Sequence, residues 1–127
     1  MLNTSYKKYM YEQFLTKKYS EYGRVSRSGE LYLPLNVGKI LINDCIELNV
    51  SIIGVEFFHK KGDCIIPVTP INSLDCSSIL GTNTDWKIIV RDCNKVVNDI
   101  LEIELQRDKT LYFNPTFLEE QEWENTK

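Results

Sequence analysis

The side chains in this sequence that are best suited to chemistry are one histidine and four cysteines. His59 is the only histidine, and a cysteine beside it would form a Cys–His nucleophilic pair. Each cysteine follows an aspartate, however, and a neighbouring carboxylate opposes the thiolate that catalysis needs. The four are Cys45, Cys64, Cys76 and Cys93. We therefore predict no catalytic residue and interpret His59 as the polar end of a strand beside Lys60 and Lys61.

The same cysteines predict neither a metal centre nor a disulfide. They include no Cys-x-x-Cys pair, and a chain without a secretory signal keeps its thiols reduced. The sequence also contains no Gly-rich phosphate loop and no H-E-x-x-H or G-x-S-x-G motif. We expect a protein that is not an enzyme and that uses no metal, cofactor or small-molecule ligand.

The opening residues MLNTSYKKYM contain no apolar signal-peptide core. No later apolar run approaches the roughly 18 residues that a membrane span needs. We expect a cytoplasmic protein that does not contact membranes.

The charge of the chain is unevenly distributed. Its net charge of −3 comprises +4 over residues 1–29, −5 over residues 30–106 and −2 over residues 107–127. This balance argues against a general nucleic-acid binder. It leaves two interpretations of the acidic middle: a solvated face, or a surface complementary to a basic protein.

Residues 34–68 organise the rest of the chain, because a helix, a strand and a turn follow one another there. An apolar stripe with helical spacing predicts the helix and consists of Val37, Ile40, Leu41, Cys45 and Leu48. Asn36 is suited to cap its start, and Asn49 to end it in the left-handed conformation. Residues 50–58 are apolar on both faces, which predicts a central strand covered on one or both sides.

A β-hairpin is expected next. Residues 60–63 supply a turn around Gly62, and residues 64–66 return as a strand that Pro67 ends. Glu56 is the one carboxylate within the apolar strand. Either it faces solvent on the exposed side of the sheet, or it lies on a surface that receives a basic partner.

The flanking segments complete the predicted fold. Residues 5–22 predict a helix with the stripe Tyr11, Phe14, Leu15, Lys18, Tyr19 and Tyr22, and residues 30–33 a short edge strand. Residues 69–84 predict a long loop with one helical turn at 72–75. A second amphipathic helix begins at Trp86, capped by Thr84 or Asp85, with the stripe Trp86, Ile89, Val90, Cys93, Val97, Ile100, Leu101 and Glu104.

Residues 110–113 predict a last strand that Pro115 ends, and residues 115–127 an acidic, frayed tail. The fold class is therefore α+β. Residues 1–127 form a single domain in which a small, mostly antiparallel sheet carries two to three packed helices. Residues 1–29 supply the basic N-terminal helix and its connection.

One stretch of this pattern resembles a known class of protein. Residues 33–80 contain a helix that runs into SIIGVEFF, then a turn, IIPV and LDCSS. This order resembles small immunity proteins of bacterial polymorphic-toxin systems, including contact-dependent growth inhibition. The resemblance implies a non-catalytic cytoplasmic protein that binds and neutralises one cognate toxin domain, expected to be a nuclease.

A toxin would be bound by residues at the end of the central strand and in the loop that follows the hairpin. Turns and helix starts reach solvent and vary without disturbing the core. The predicted toxin-binding residues are Glu56, His59, Asp63, Asp75, Ser77, Ser78 and Asp85.

The alternative is a small nucleic-acid-associated or regulatory module. The first helix mixes lysines with tyrosines, as single-stranded nucleic-acid platforms do. The same residues also suit a packing helix whose tyrosines bury their rings while its lysines reach solvent. We favour packing and expect no direct contact with nucleic acid.

Overall fold

The computed structural model describes residues 10–68 and 73–126. These residues form a single α+β domain with a mostly antiparallel sheet, as predicted, and they contain four helices where two to three were expected. The helices are α1 (Met10–Tyr19), α2 (Gly38–Glu47), α3 (Trp86–Arg107) and α4 (Glu120–Asn125), and 3₁₀ turns cover Ser20–Tyr22, Leu35–Val37 and Ser77–Gly81. The strands are β1 (Arg24–Val25), β2 (Leu31–Pro34), β3 (Val50–Lys61), β4 (Cys64–Pro67), β5 (Ser73–Asp75) and β6 (Tyr112–Glu119). No helix in this part of the chain is long and apolar enough to cross a bilayer.

The strands form an antiparallel sheet in the order β1-β2-β6-β3-β4. β3 is central, as predicted, because β6 pairs along one side of it while β4 and β5 pair along the other. β4 lies opposite residues 58–61 and β5 opposite residues 54–56. β4 and β5 are therefore successive parts of one sheet edge.

The helices cover one face of this sheet and bury the core against it. Burial alternates along β6, where Phe113, Pro115 and Phe117 are buried and the residues between them are half-buried or exposed. On β3, Phe57 is 2% exposed, and Trp86 at the start of α3 is 3% exposed. Both residues lie in the core, as predicted.

A bulge at Ile53 changes which residues of β3 face the helices. Ile52 pairs with Phe117 and Gly54 with Thr116, so Ile53 is the extra residue. Across the bulge, Ile52 and Val55 face the same side, since each lies opposite a buried residue of β6. The run of apolar residues in β3 therefore arises because the bulge changes which alternate residues face the helices. It does not mean that both faces of the strand are buried.

The start of α2 differs from the prediction. Residues 35–37 form a 3₁₀ turn, and the α-helix follows without a side-chain cap, so the capping role predicted for Asn36 is wrong. Asn49 does adopt the left-handed conformation, with φ of 58°. Ile40 is 58% exposed while Ile42 is buried, because the helix enters through the tighter 3₁₀ turn and its core face is rotated.

The first helix is described from Met10 onward, so residues 5–9 of its predicted span lie outside the described part. α1 packs through Leu15 and Tyr19, which are buried. Phe14 and Tyr22 are each 51% exposed and do not form part of the core.

The predicted edge strand at residues 30–33 is not at the edge. β2 pairs with β1 on one side and with β6 on the other. Pro34 ends β2 but still lies opposite Tyr112 of β6. The two-residue strand β1, which the sequence pattern did not indicate, occupies that edge.

The predicted frayed tail is wrong for residues 115–126. β6 continues through Pro115 to Glu119, and α4 follows it. Glu119 and Glu122 form a capping box, and Glu119 also accepts a hydrogen bond from the Glu12 amide at 3.2 Å. Trp123 is 4% exposed and packs on Trp86 with ring centroids 5.1 Å apart. A cap and a buried aromatic pair therefore order this segment.

The connection before α3 is shorter than predicted. Residues 73–75 form β5 rather than a helical turn, because they pair with β3; Asn72, the first residue of that predicted turn, lies outside the described residues. Asp85 caps α3 as predicted, since its side chain accepts from the Lys87 amide at 3.0 Å.

Candidate protein-binding face

The candidate site is the face of the sheet opposite the helices, which we call the open face. It is formed by side chains that lie opposite one another across β2, β6, β3 and β5: Tyr32, Tyr112, Asn114, Thr116, Gly54, Glu56, Phe58, Ser73 and Asp75. Glu56, Thr116, Ser73 and Asp75 are exposed, and Tyr32, Tyr112 and Asn114 are half-buried. An antiparallel sheet with one face on the core presents its other face in this way.

Aromatic rings occupy the part of the open face near the hairpin. Tyr32 meets Phe58 edge-on with centroids 5.1 Å apart, and Lys60 Nζ lies 5.5 Å from the ring centroid of Tyr112. The Tyr32 hydroxyl donates to Glu30 at 3.0 Å. Burial first, then the hydrogen bond to Glu30 and the charges of Glu30 and Glu56, raise the pKa of Tyr32.

A cavity of about 300 Å³ lies at the other end of the open face. Gly54 forms part of its lining, with Thr116 opposite it on β6 and Asp75 opposite it on β5. Glu56 lies two residues further along β3 and also lines the cavity. The structure therefore brings two of the predicted binding carboxylates, Glu56 and Asp75, to one cavity.

The Asp75 carboxylate is held by the turn that follows it. Its Oδ1 accepts from the Ser77 amide at 2.8 Å. The bonds from the Ser77 backbone and side chain lower the pKa of Asp75, so this carboxylate is charged at neutral pH. Ser77 and Ser78, both predicted binding residues, are exposed in the 3₁₀ turn beside it.

Asp85 does not belong to the open face. It lines a separate concavity with Asn49, Glu120 and Glu124, at the start of α3. Its side chain caps α3, so the expectation that its charge can be reversed without affecting folding is not supported by the structure.

His59 and Asp63 lie at the hairpin, away from the cavity. His59 follows Phe57 on the helix side of β3, and its charge contributes to lowering the pKa of Asp108, after the stronger effect of two hydrogen bonds from Thr110. Asp63 is exposed in the hairpin turn. The seven predicted toxin-binding residues therefore lie in three places: beside the cavity, at the hairpin, and at the start of α3.

Sequence reasoning missed the aromatic part of the open face and Gly54. The polar and aromatic alternation at Tyr112, Asn114 and Thr116 is visible in the sequence and indicates a half-solvated strand. Its extent was missed because the strand was expected to end at Pro115.

Two side chains of the basic helix α1, Lys18 and Tyr19, make contacts with Asp44 of α2. Lys18 Nζ lies 2.7 Å from Asp44 Oδ2, and the Tyr19 hydroxyl donates to the same oxygen at 2.6 Å. Tyr19 is buried, so its ring is not free to stack on a base. These contacts favour the packing interpretation over a nucleic-acid platform.

Within residues 10–68 and 73–126, no group of three or more His, Cys, Asp or Glu side chains is arranged to hold a metal ion. Comparisons of the chain with protein-family models, with curated proteins and with solved structures return no match.

Proposed function

We propose that this chain is a non-catalytic immunity protein that binds and neutralises a cognate toxin domain in the bacterial cytoplasm. The observation that supports the proposal most is the open face, where half-buried aromatic rings adjoin exposed carboxylates. Protein interfaces are enriched in aromatic residues at their centre and carry polar residues at their rim. The open face has both features on a rigid sheet.

The resemblance of residues 33–80 to immunity proteins supplies the class of partner. β3 and β5, which lie within that stretch, supply the central strand and one edge of the open face. A toxin that acts on nucleic acid presents a basic cleft, and carboxylates such as Glu56 and Asp75 would steer it to this face. The second candidate, a nucleic-acid-associated module, is less well supported because α1 engages Lys18 and Tyr19 in packing.

The test uses the toxin domain encoded next to this gene, since an immunity gene is expected immediately downstream of its toxin gene. The two proteins should co-purify, and expression of this chain should protect cells from the toxin. Reversing Glu56 and Asp75 to Lys should reduce the association rate by about tenfold at low salt, with less effect as salt is raised.

The control is Glu47→Lys, which reverses one carboxylate instead of two at an exposed position on α2. This variant should bind as the unmodified chain does. Unchanged binding by the Glu56 and Asp75 variant at low salt would show that the open face is not the interface. Failure of the two proteins to co-purify would refute the immunity function itself.

A further inference from the structure

The cavity over Gly54 is bordered by neighbouring positions on three strands. Gly54 lies between Thr116 on β6 and Asp75 on β5, so three neighbouring positions of the open face carry a hydroxyl, no side chain and a carboxylate. The neighbouring row is Asn114, Glu56 and Ser73. The missing side chain leaves a depression in an otherwise continuous surface.

A side chain at Gly54 would occupy this depression. A Cβ built there lies 3.1 Å from the Leu74 carbonyl oxygen and 4.0 Å from Thr116 Cβ. The φ angle of Gly54 is not positive, so the backbone conformation does not require glycine at this position. What glycine provides here is space beside a carbonyl oxygen.

The groups around the depression are mostly acceptors of hydrogen bonds. Glu56 and Asp75 are diagonal neighbours across the β3–β5 pair, a separation of roughly 7–8 Å that one branched cation can bridge. Each carboxylate has about four acceptor positions, so the contacts of Asp75 with Ser77 leave capacity for a further donor. The Leu74 carbonyl oxygen borders the depression, but it belongs to the β3–β5 ladder, in which Leu74 lies opposite Val55.

We propose that this cavity binds an arginine guanidinium group presented by the basic protein partner. A guanidinium carries five N–H donors in a planar fork, which suits two carboxylates beside one depression. It is also less strongly hydrated than an ammonium group and packs on aromatic faces such as those further along the open face. The inference rests on the proposed function only for the source of the arginine.

The cavity can be tested without the toxin by using N-acetyl-L-arginine amide as the probe. Amide shifts of the ¹⁵N-labelled chain are recorded during titration at constant ionic strength. We expect saturable shifts at Gly54, Glu56, Ser73 and Asp75, with weaker and unsaturated shifts for N-acetyl-L-lysine amide. Equal saturation by the lysine compound would overturn the assignment of a guanidinium.

Two kinds of variant test whether the cavity itself is responsible. The double variant Glu56→Gln, Asp75→Asn removes both charges, while the carboxamide introduced at position 75 still offers an oxygen to the Ser77 amide. It should weaken arginine-amide binding by at least about tenfold. Gly54→Ala places a methyl group in the depression, 3.1 Å from the Leu74 carbonyl oxygen, and should also weaken binding with both charges retained. The matched control Glu47→Gln removes one exposed charge elsewhere and should bind as the unmodified chain does.

The outcomes separate this inference from the proposed function. If the arginine amide causes no saturable shifts but reversal of Glu56 and Asp75 still weakens toxin binding, the guanidinium pocket is refuted and the open face stands as the interface. If the amide binds in the cavity but the toxin does not bind the chain, the pocket stands and the immunity function fails. Amide binding that persists in both the charge-neutral and the Gly54→Ala variants refutes the pocket.

Discussion

The buried amide of Asn94 should make a large contribution to the stability of this fold. Its Oδ1 accepts from the Ile52 amide at 2.9 Å, and its Nδ2 donates to the Val50 carbonyl oxygen at 3.1 Å. These backbone groups lie where neither β4 nor β5 pairs with β3. The Asn94 side chain of α3 therefore bonds the backbone of β3 at the part of this edge where no strand pairs with it.

Asn94→Ala removes both bonds and leaves a buried donor and a buried acceptor without partners. Each such group costs about 1–3 kcal/mol, so we expect the free energy of unfolding to fall by about 2–6 kcal/mol. A domain of this size is stable by roughly 5–15 kcal/mol, so the loss should be a substantial fraction of the total. The expected decrease is therefore easily measured.

Urea unfolding, followed by circular dichroism and tryptophan fluorescence, provides the assay. The control is Asn98→Ala, one turn further along α3, where the side chain is half-buried and its bond to Glu102 is 3.4 Å long. It should change the free energy of unfolding by no more than about 0.5 kcal/mol. Equal effects of the two substitutions would refute the argument, and so would an unchanged exchange rate of the Ile52 amide proton in Asn94→Ala.

Four further predictions concern Cys64, Tyr19, Asp44 and Asp85. Cys64 is the one exposed thiol among the four, so it should react with a thiol reagent in the native protein while the buried three react only on unfolding. Tyr19→Phe should cost about 1 kcal/mol at neutral pH by removing the bond to Asp44. The hydrogen bonds from Lys18 and Tyr19 outweigh burial and lower the Asp44 pKa, so the stability from this carboxylate should be lost only as pH falls below its ordinary range. Asp85→Ala should cost about 1 kcal/mol in urea unfolding, since it removes the α3 cap, and no loss would contradict the capping role.

The elements with strong periodicity could be predicted from the sequence. α3 begins at Trp86 after the Asp85 cap, and most of its predicted stripe is buried, with Ile100 half-buried. The hairpin turns at Gly62, which has a φ of 59°. In these segments local propensity, capping and hydrophobic pattern all favour the same structure, which is the condition under which local reasoning succeeds.

The C-terminal segment could not be predicted because its order depends on distant contacts. Trp123 Nε1 donates to the Leu80 carbonyl oxygen at 3.2 Å, and its ring packs on Trp86. Pro115 lies beyond the residues of β6 that pair with β2, so β6 has a strand on only one side there and tolerates a proline. Neither condition can be inferred from the residues near Pro115.

The candidate site depends on the bulge at Ile53, which was not predicted although a glycine inside a strand, here Gly54, often marks a bulge. Strict alternation from Val50 and Ile52, which face the helices, would place Gly54 and Glu56 on the helix side as well. The extra residue reverses the alternation, so Val55 and Phe57 enter the core while Gly54 and Glu56 reach the open face. Without the bulge, the Glu56 carboxylate would lie unpaired in the apolar core, which is costly. Val55 and Phe57 would be exposed instead. The same bulge that permits the core to form therefore also brings the carboxylate of Glu56 and the depression at Gly54 to the surface where a partner can bind them.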